Sequence, residues 1–256
     1  MAGVRQVILR AWNLWIHGIP GLESAGPGFA IGLPAARTQR IVECMDTTSI
    51  VQTAVPLLAG YLAGSVPFGL LIAKARGVDL RNSGSGNIGA TNVFRCVGKG
   101  WGVFALLLDA VKGFVPAYAF PVWFARFVGS PAPVWLGVAC GLAAVAGHNW
   151  PVWLGFKGGK GVATSAGMAL GIAPGAVGIG LAAFALVVVA TRWVSLASML
   201  ACAAATASAV WLYSGTDRAW LVWVLGAMTL HVVWRHRSNI RRLLSGTEPR
   251  IVGGRK

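Results

Sequence analysis

Of the 256 residues, 56% are apolar and only 11% are charged, and 22 Lys/Arg against seven Asp/Glu leave a net charge of +15. Soluble domains carry roughly 25% charged residues, so a chain of this composition cannot cover a water-facing surface. Polar disorder, a disulfide framework (Cys44, Cys96, Cys140 and Cys202 are scattered, without paired spacing) and a collagen-like glycine period are excluded too, and a polytopic membrane protein remains.

Residues 1–44 come first and fit a span poorly. The apolar stretch Val7 to Ile19 is interrupted by Arg10, Asn13 and His17 and is too short to cross a bilayer. No small-x-small cleavage site follows at a signal-peptide distance. Met45 leads straight into the first span and is read as the biological start. Residues 1–44 are then an N-terminal extension, and 45–256 form one membrane domain. A genuine interfacial amphipathic segment is the alternative. Ile50 to Ala73 is uncharged and about 36 Å long as a helix, enough to cross. Its Gly60 and Gly64 form a GxxxG for close helix contact. A polar stretch, Lys74 to Gly100, follows. Trp101 to Phe127 is apolar apart from Asp109 and Lys112, and Ala132 to Gly147 is a third, shorter apolar run. His148 to Gly161 is polar and glycine-rich. Val162 to Ala190 is broken at Ala173-Pro174-Gly175 and predicts two helices, the first short. Val194 to Tyr213 and Arg218 to Trp234 complete an all-α bundle of seven helices, without internal repeats or strand-like alternation.

The basic residues orient it. With the N-terminal end of the first span outside, the loops at 74–100 and 148–161, Arg192 and the C-terminal tail lie inside. That places fifteen basic residues in the cytosol against two outside, Arg126 and Arg218. The expected orientation has the N-terminus outside, the C-terminus cytosolic and the glycine-rich motif loops on the cytosolic face. The positive charge then serves anionic lipid headgroups or anionic substrates, and no nucleic-acid partner is expected.

Three polar segments carry the chemistry. In Leu80 to Arg95 the glycines Gly84, Gly86 and Gly89 spell GxGxxG. The dinucleotide reading fails, because that motif follows a hydrophobic strand in a βαβ unit and here Arg81-Asn82-Ser83 precede it. An anion nest is the better reading. Small residues bring backbone N–H groups close to an oxyanion. Ser83, Ser85, Asn87, Thr91 and Asn92 add neutral donors, and Arg95 adds a forked cation. In the second segment, Gly147 to Thr164, Lys160 follows Gly159 as in a P-loop. Positions 154 and 161 are Leu and Gly, however, so the nucleotide pattern is broken. Lysines among glycines at a helix start still suit a phosphate. In the third, His236 and Asn239 fall three residues apart on one face if the last helix continues. Asp109 and Lys112 share that spacing inside a span; Asp109 is read as structural, and Lys112 is left open.

GSVPFG (64–69), GVDLRNSGSGNIGATNVFR (77–95), LLDAVKG (107–113), GHNWPVWLGFKGGKGVAT (147–164), RWVSLASM (192–199) and RHRSNIRRLLSGTEPR (235–250) together resemble the bacterial acyl-phosphate:glycerol-3-phosphate acyltransferase family. The resemblance runs from Val51 to Arg250. It implies a seven-helix membrane enzyme that transfers the acyl group of an acyl phosphate to the 1-hydroxyl of glycerol 3-phosphate. The product is 1-acyl-sn-glycerol 3-phosphate, the first acylation step of phospholipid synthesis. By that analogy Ser85, Asn87, Arg95, Lys160, His236 and Asn239 are catalytic. Ser83, Gly86, Thr91, Asn92, Gly159, Ser195 and Ser198 bind substrate or phosphate. No cofactor or metal is expected. Besides the two substrates, the expected partners are membrane lipids and the enzyme that forms and hands over the acyl phosphate. No covalent acyl-enzyme is expected either, since the sequence offers no GxSxG elbow and no Asp/Glu–His pair for a triad. A substrate phosphate oxygen or His236 is the base.

Three other classes fit the residues less well. A phosphorylated-solute transporter suits broken helices and intramembrane charge but requires an inverted repeat. A coenzyme-A-dependent acyltransferase uses His-x4-Asp, and the residues five places after His17, His148, His231 and His236 are Leu22, Trp153, His236 and Arg241. A lipid-binding scaffold has no need of donor-rich loops.

Overall fold

Glycine bounds the helix Lys99–Val128 at both ends and precedes the helix at Val162, and proline opens the one at Pro174. The structure, a computed structural model, describes residues 47–129 and 131–251; the extension 1–44 lies outside the described residues. In chain order the helices are α1 (Thr47–Ser65), α2 (Phe68–Ala75), α3 (Ala90–Cys96), α4 (Lys99–Val128), α5 (Leu136–Asn149), α6 (Val162–Ile172), α7 (Pro174–Thr191), α8 (Val194–Tyr213), α9 (Leu221–Arg235) and α10 (Arg237–Leu244), with one 3₁₀ turn at Val152–Leu154. No strand occurs among the described residues.

Two departures from the expected spans have local causes. The first passage is broken at Val66-Pro67 into α1 and α2, because Pro67 lacks an N–H and biases Val66 away from the helical region. The last does not run on through the tail: His236 turns the chain (φ −94°, ψ 9°) and α10 starts afresh at Arg237. The break between α6 and α7 falls at Ala173-Pro174, as expected, with Pro174 opening α7.

Seven apolar passages are present among the described residues (α1 with α2, then α4 to α9), but only four helical stretches are long and apolar enough to cross a membrane. Helices α5, α6 and α9 have 14, 11 and 15 residues. They rise about 16–23 Å, short of a core of about 30 Å. The shortfall in α6 follows from its ends, left-handed Gly161 (φ 78°) and Pro174. Side chains such as Leu186, Val189, Trp223 and Leu230 stand exposed on the outside, as lipid-facing groups do.

Helices α4 and α6 cross at backbone distance. A methyl on Gly113 would fall on the Thr164 carbonyl, and one on Gly167 on the Ala110 carbonyl, so only hydrogen fits at both points. Gly60 and Gly64 likewise face the backbone of Cys140 and Ala144 in α5. The main core gathers residues of α4 to α9, including Ala117, Met168, Ala176 and Leu225. A smaller core of Ala73, Leu80, Val93 and Ala105 sits under the first glycine-rich loop and supports it.

Asp109 and Lys112 are 3% and 5% exposed and pair at 2.8 Å one turn apart in α4. Lys112 Nζ also donates to the Val66 carbonyl at 2.8 Å. That carbonyl also accepts the Phe68 N–H at 3.1 Å, so the ammonium adds a second bond there and ties the break between α1 and α2 to α4. Asp109→Asn is expected to leave this ammonium buried without its counter-charge, a cost of about 3–5 kcal/mol. The check compares detergent-extracted yield with specific activity. A sharp fall in yield is expected, and normal yield with abolished turnover would instead make Asp109 a chemical group.

Candidate active site

The first loop is knotted around Asn92. Its Oδ1 accepts the Ser85 N–H at 3.0 Å, and its Nδ2 donates to the carbonyls of Leu80 (3.2 Å) and Ser83 (3.0 Å). Asn92 is 1% exposed. The Gly86 N–H goes to the Ser83 carbonyl at 3.1 Å and the Gly89 N–H to Asn87 Oδ1 at 2.8 Å. This corrects the backbone-nest expectation. The amides of Ser85, Gly86 and Gly89 are engaged within the loop, and Asn92 acts as its clamp instead of a free donor. What the loop presents outward is side chains: the hydroxyls of Ser85 and Thr91, the Asn87 amide and the Arg95 guanidinium from α3.

These face a cavity of about 200 Å³ whose wall also includes Lys160, Ser195, Ser198, His236 and Asn239. Of the residues expected at the site, ten line this one space. Ser83, Gly86 and Gly159 do not; they shape the loops behind it. Asp109 and His148 reach the cavity from α4 and α5, and Leu106, Phe184 and Val194 give it an apolar side.

Sequence reasoning missed the acid at the centre of the tail. After α10 the chain turns at Gly246 (φ 71°) and runs back across the start of α8. Glu248, 8% exposed, accepts from Ser195 Oγ and Asn239 Nδ2, each at 2.6 Å, and from Arg242 Nε at 2.8 Å. Burial alone would raise its carboxyl, but these three bonds and the Arg242 charge outweigh burial and hold it below the usual range. Arg95 Nη2 donates to the Pro249 carbonyl at 3.0 Å, and the Ile251 N–H bonds the Arg192 carbonyl at 2.9 Å. The one signal in the sequence was compositional: Glu248 is the only acid after Asp217.

Lys160 donates to Asn239 Oδ1. Burial pushes its ammonium down to about 8, with Glu248 opposing and Arg242, Arg95 and Arg235 adding to the depression. Burial likewise pushes His236 down to about 4, helped by the Lys160 charge. The ring is therefore neutral at pH 7. Its Nδ1 lies 2.8 Å from the Val232 carbonyl, which can only accept, so Nδ1 carries the proton and Nε2 the lone pair. One acid does approach a histidine in the fold. His148 Nδ1 lies 3.7 Å from Asp109 Oδ1, a proximity hidden in sequence by a separation of 39 positions. Among the described residues no group of three His, Cys, Asp or Glu side chains could hold a metal ion.

Short helices inside a membrane bundle, framing a cationic pocket with one apolar side, define an integral membrane protein built for an amphiphilic anion. Comparison with known proteins says which. The family described as glycerol-3-phosphate acyltransferase matches residues 54–246, and the chain belongs to it. The glycerol-3-phosphate acyltransferase of Parasynechococcus marenigrum is 49% identical over 208 residues, covering 79% of this chain and 92% of its own. That of Geobacter sulfurreducens is 47% identical over 191 residues, covering 75% and 93%. Among solved structures, the glycerol 3-phosphate form of PlsY, an integral membrane glycerol 3-phosphate acyltransferase, superposes with a TM-score of 0.68 at 39% identity, covering 78% of this chain and 96% of that one. Its lysophosphatidic acid form gives 0.66 at 37%. The protein is thus a membrane acyltransferase of phospholipid synthesis.

Proposed function

We propose that the donor is an acyl phosphate and that the reaction yields 1-acyl-sn-glycerol 3-phosphate and inorganic phosphate at the cytosolic face of a bacterial inner membrane. The observation that carries this reading is the gathering of Arg95, Lys160 and Arg242 around one small cavity. Two phosphate-bearing substrates need that much positive charge, whereas coenzyme A would need room for a nucleotide. In the reaction the O1 hydroxyl attacks the acyl carbonyl, the new C–O bond forms, and the bond from that carbonyl to the phosphate oxygen breaks. The proton passes to phosphate. Arg95 and Lys160 hold the phosphates and stabilise the charge that moves onto the leaving group. Ser85, Asn87 and Thr91 offer hydrogen bonds to the glycerol. Ser195, Ser198 and Asn239 shape the far wall, where Ser195 and Asn239 are turned toward Glu248.

The geometry supports substrate phosphate over His236 as base. An imidazole pushed down to about 4 takes a proton poorly at pH 7, whereas a phosphate ester titrates near 6. His236 Nε2 serves instead as a hydrogen-bond acceptor for the attacking hydroxyl. The N-terminus outside, the C-terminus inside, a catalytic unit of residues 45–256 and handover from the acyl-phosphate-forming enzyme complete the proposal. They are supported by the basic loops, and the unit by the family match over 54–246.

The test uses purified protein, labelled glycerol 3-phosphate and either palmitoyl phosphate or palmitoyl-coenzyme A, with lysophosphatidic acid as readout. Product from the first donor alone is expected; product from coenzyme A alone overturns the donor assignment. A pH series adds a second check. Lys160 loses its proton as pH rises through about 8, while the arginines stay charged. The KM of a phosphate-bearing substrate is expected to rise severalfold between pH 7 and pH 9 in the wild type and to stay flat in Lys160→Ala.

A further inference from the structure

His148 takes no part in the proposed phosphate grip, yet the loop that carries Lys160 is built on it. Its carbonyl accepts the Gly159 N–H at 3.1 Å, and the carbonyl of Asn149 beside it accepts the Gly158 N–H at 3.2 Å. The imidazole lies flush against Gly159. A methyl there would fall on Nε2, with two ring carbons at 3.0 and 3.1 Å. Behind the ring stands Asp109, fixed in turn by Lys112. From the other side, Arg235 donates to the Gly159 carbonyl, and Asn149 Nδ2 meets His231 Nε2 at 2.8 Å. Gly159 is therefore gripped on both faces immediately before Lys160, whose ammonium reaches Asn239.

We propose that His148 is a positioning residue for Lys160: the imidazole, braced by Asp109, sets the height of the Gly158-Gly159 turn and thereby the place of the ammonium. The inference rests on the reading of Lys160 as a phosphate ligand. It also explains why the GGK sequence needs its second glycine, for clearance of a ring and not for contact with substrate.

Four variants test the proposal: His148→Gln, Gly159→Ala, Lys160→Ala and the double variant His148→Gln/Lys160→Ala. Gly159→Ala displaces the ring by a single methyl and serves if His148→Gln folds poorly. Steady-state kinetics are measured for both substrates. His148→Gln and Gly159→Ala are expected to lower kcat/KM roughly tenfold for the same substrate that Lys160→Ala affects. The double variant should be no worse than Lys160→Ala alone, since nothing then remains to position. Losses that multiply in the double variant, or that fall on the other substrate, overturn the proposal. A second readout needs no substrate: the rate at which an amine reagent labels Lys160 across pH, followed by mass spectrometry. A Lys160 released from its seat moves toward water, and its labelling midpoint is expected to rise by about one pH unit in both single variants. An unchanged midpoint in both overturns the proposal. Full efficiency of Lys160→Ala overturns the phosphate reading instead, and the labelling experiment still decides the role of His148.

Discussion

Arg95→Lys is expected to lower kcat/KM about ten- to a hundredfold although charge is conserved. Arg95 reaches the cavity from the last turn of α3. One arm of its fork, Nη2, already holds the Pro249 carbonyl at 3.0 Å, and its Nε is buried with no partner in the protein. The guanidinium can therefore tether the tail and still present donors to a phosphate. A lysine has a single head on a flexible stem and cannot do both from one place. Losing a charged, geometrically fixed contact costs about 1.5–3 kcal/mol, which is the expected fall in rate. Lys99, exposed at the start of α4, is the control, and Lys99→Ala is expected to stay within a few fold. The measurement is steady-state kinetics in both substrates at matched membrane insertion. Near-normal efficiency for Arg95→Lys would show that bulk positive charge suffices there.

Glu248→Gln is expected to cost more. The carboxylate accepts from Ser195, Asn239 and Arg242 at once and neutralises part of the charge of Lys160, Arg242 and Arg95. A glutamine can accept through one oxygen only. Its NH₂ turns a donor toward either Arg242 or the Ser195–Asn239 pair, and three cations are left without their acid. Arg242 is 37% exposed, so its charge is partly screened by solvent, and the cost falls on the buried hydrogen bonds to the charged carboxylate, about 1.5–3 kcal/mol each. Activity should fall by more than about a hundredfold, together with a clear drop in the melting temperature of the detergent-solubilised protein. Glu248→Asp keeps the charge and should recover stability better than activity, since the shorter arm cannot reach all three donors. A variant Glu248→Gln that melts and turns over like the wild type removes the tail from the catalytic description.

The sequence made legible whatever is carried by residue type at short range. Arg95 and Lys160 stood out because a charge among glycines next to an apolar run has few structural uses. The α6–α7 break was marked by Ala173-Pro174. Asn92 misled because an amide in a polar loop reads as a donor for ligands, whereas the fold turns it inward onto Leu80, Ser83 and Ser85. Glu248 and the Asp109–His148 approach stayed hidden because each depends on elements far apart in the chain, 53 positions from Ser195 to Glu248. The shortness of α5 and α6 was legible as well, from the short run Ala132–Gly147 and the break at Ala173-Pro174, and the observed helices Leu136–Asn149 and Val162–Ile172 differ from it by only a few residues.

The returning tail also sets a timetable for biogenesis. The cavity takes its walls from the chain in sequence, beginning near Ser85 and continuing through Lys160 and Ser195, but Arg95 and Ser195 acquire their tail partners only when Pro249 and Glu248 arrive. All seven apolar passages precede those residues. A nascent chain can therefore have every apolar helix in the bilayer while its cationic pocket is still unlatched. Latching of the cavity by the tail is a late event, separate from membrane insertion.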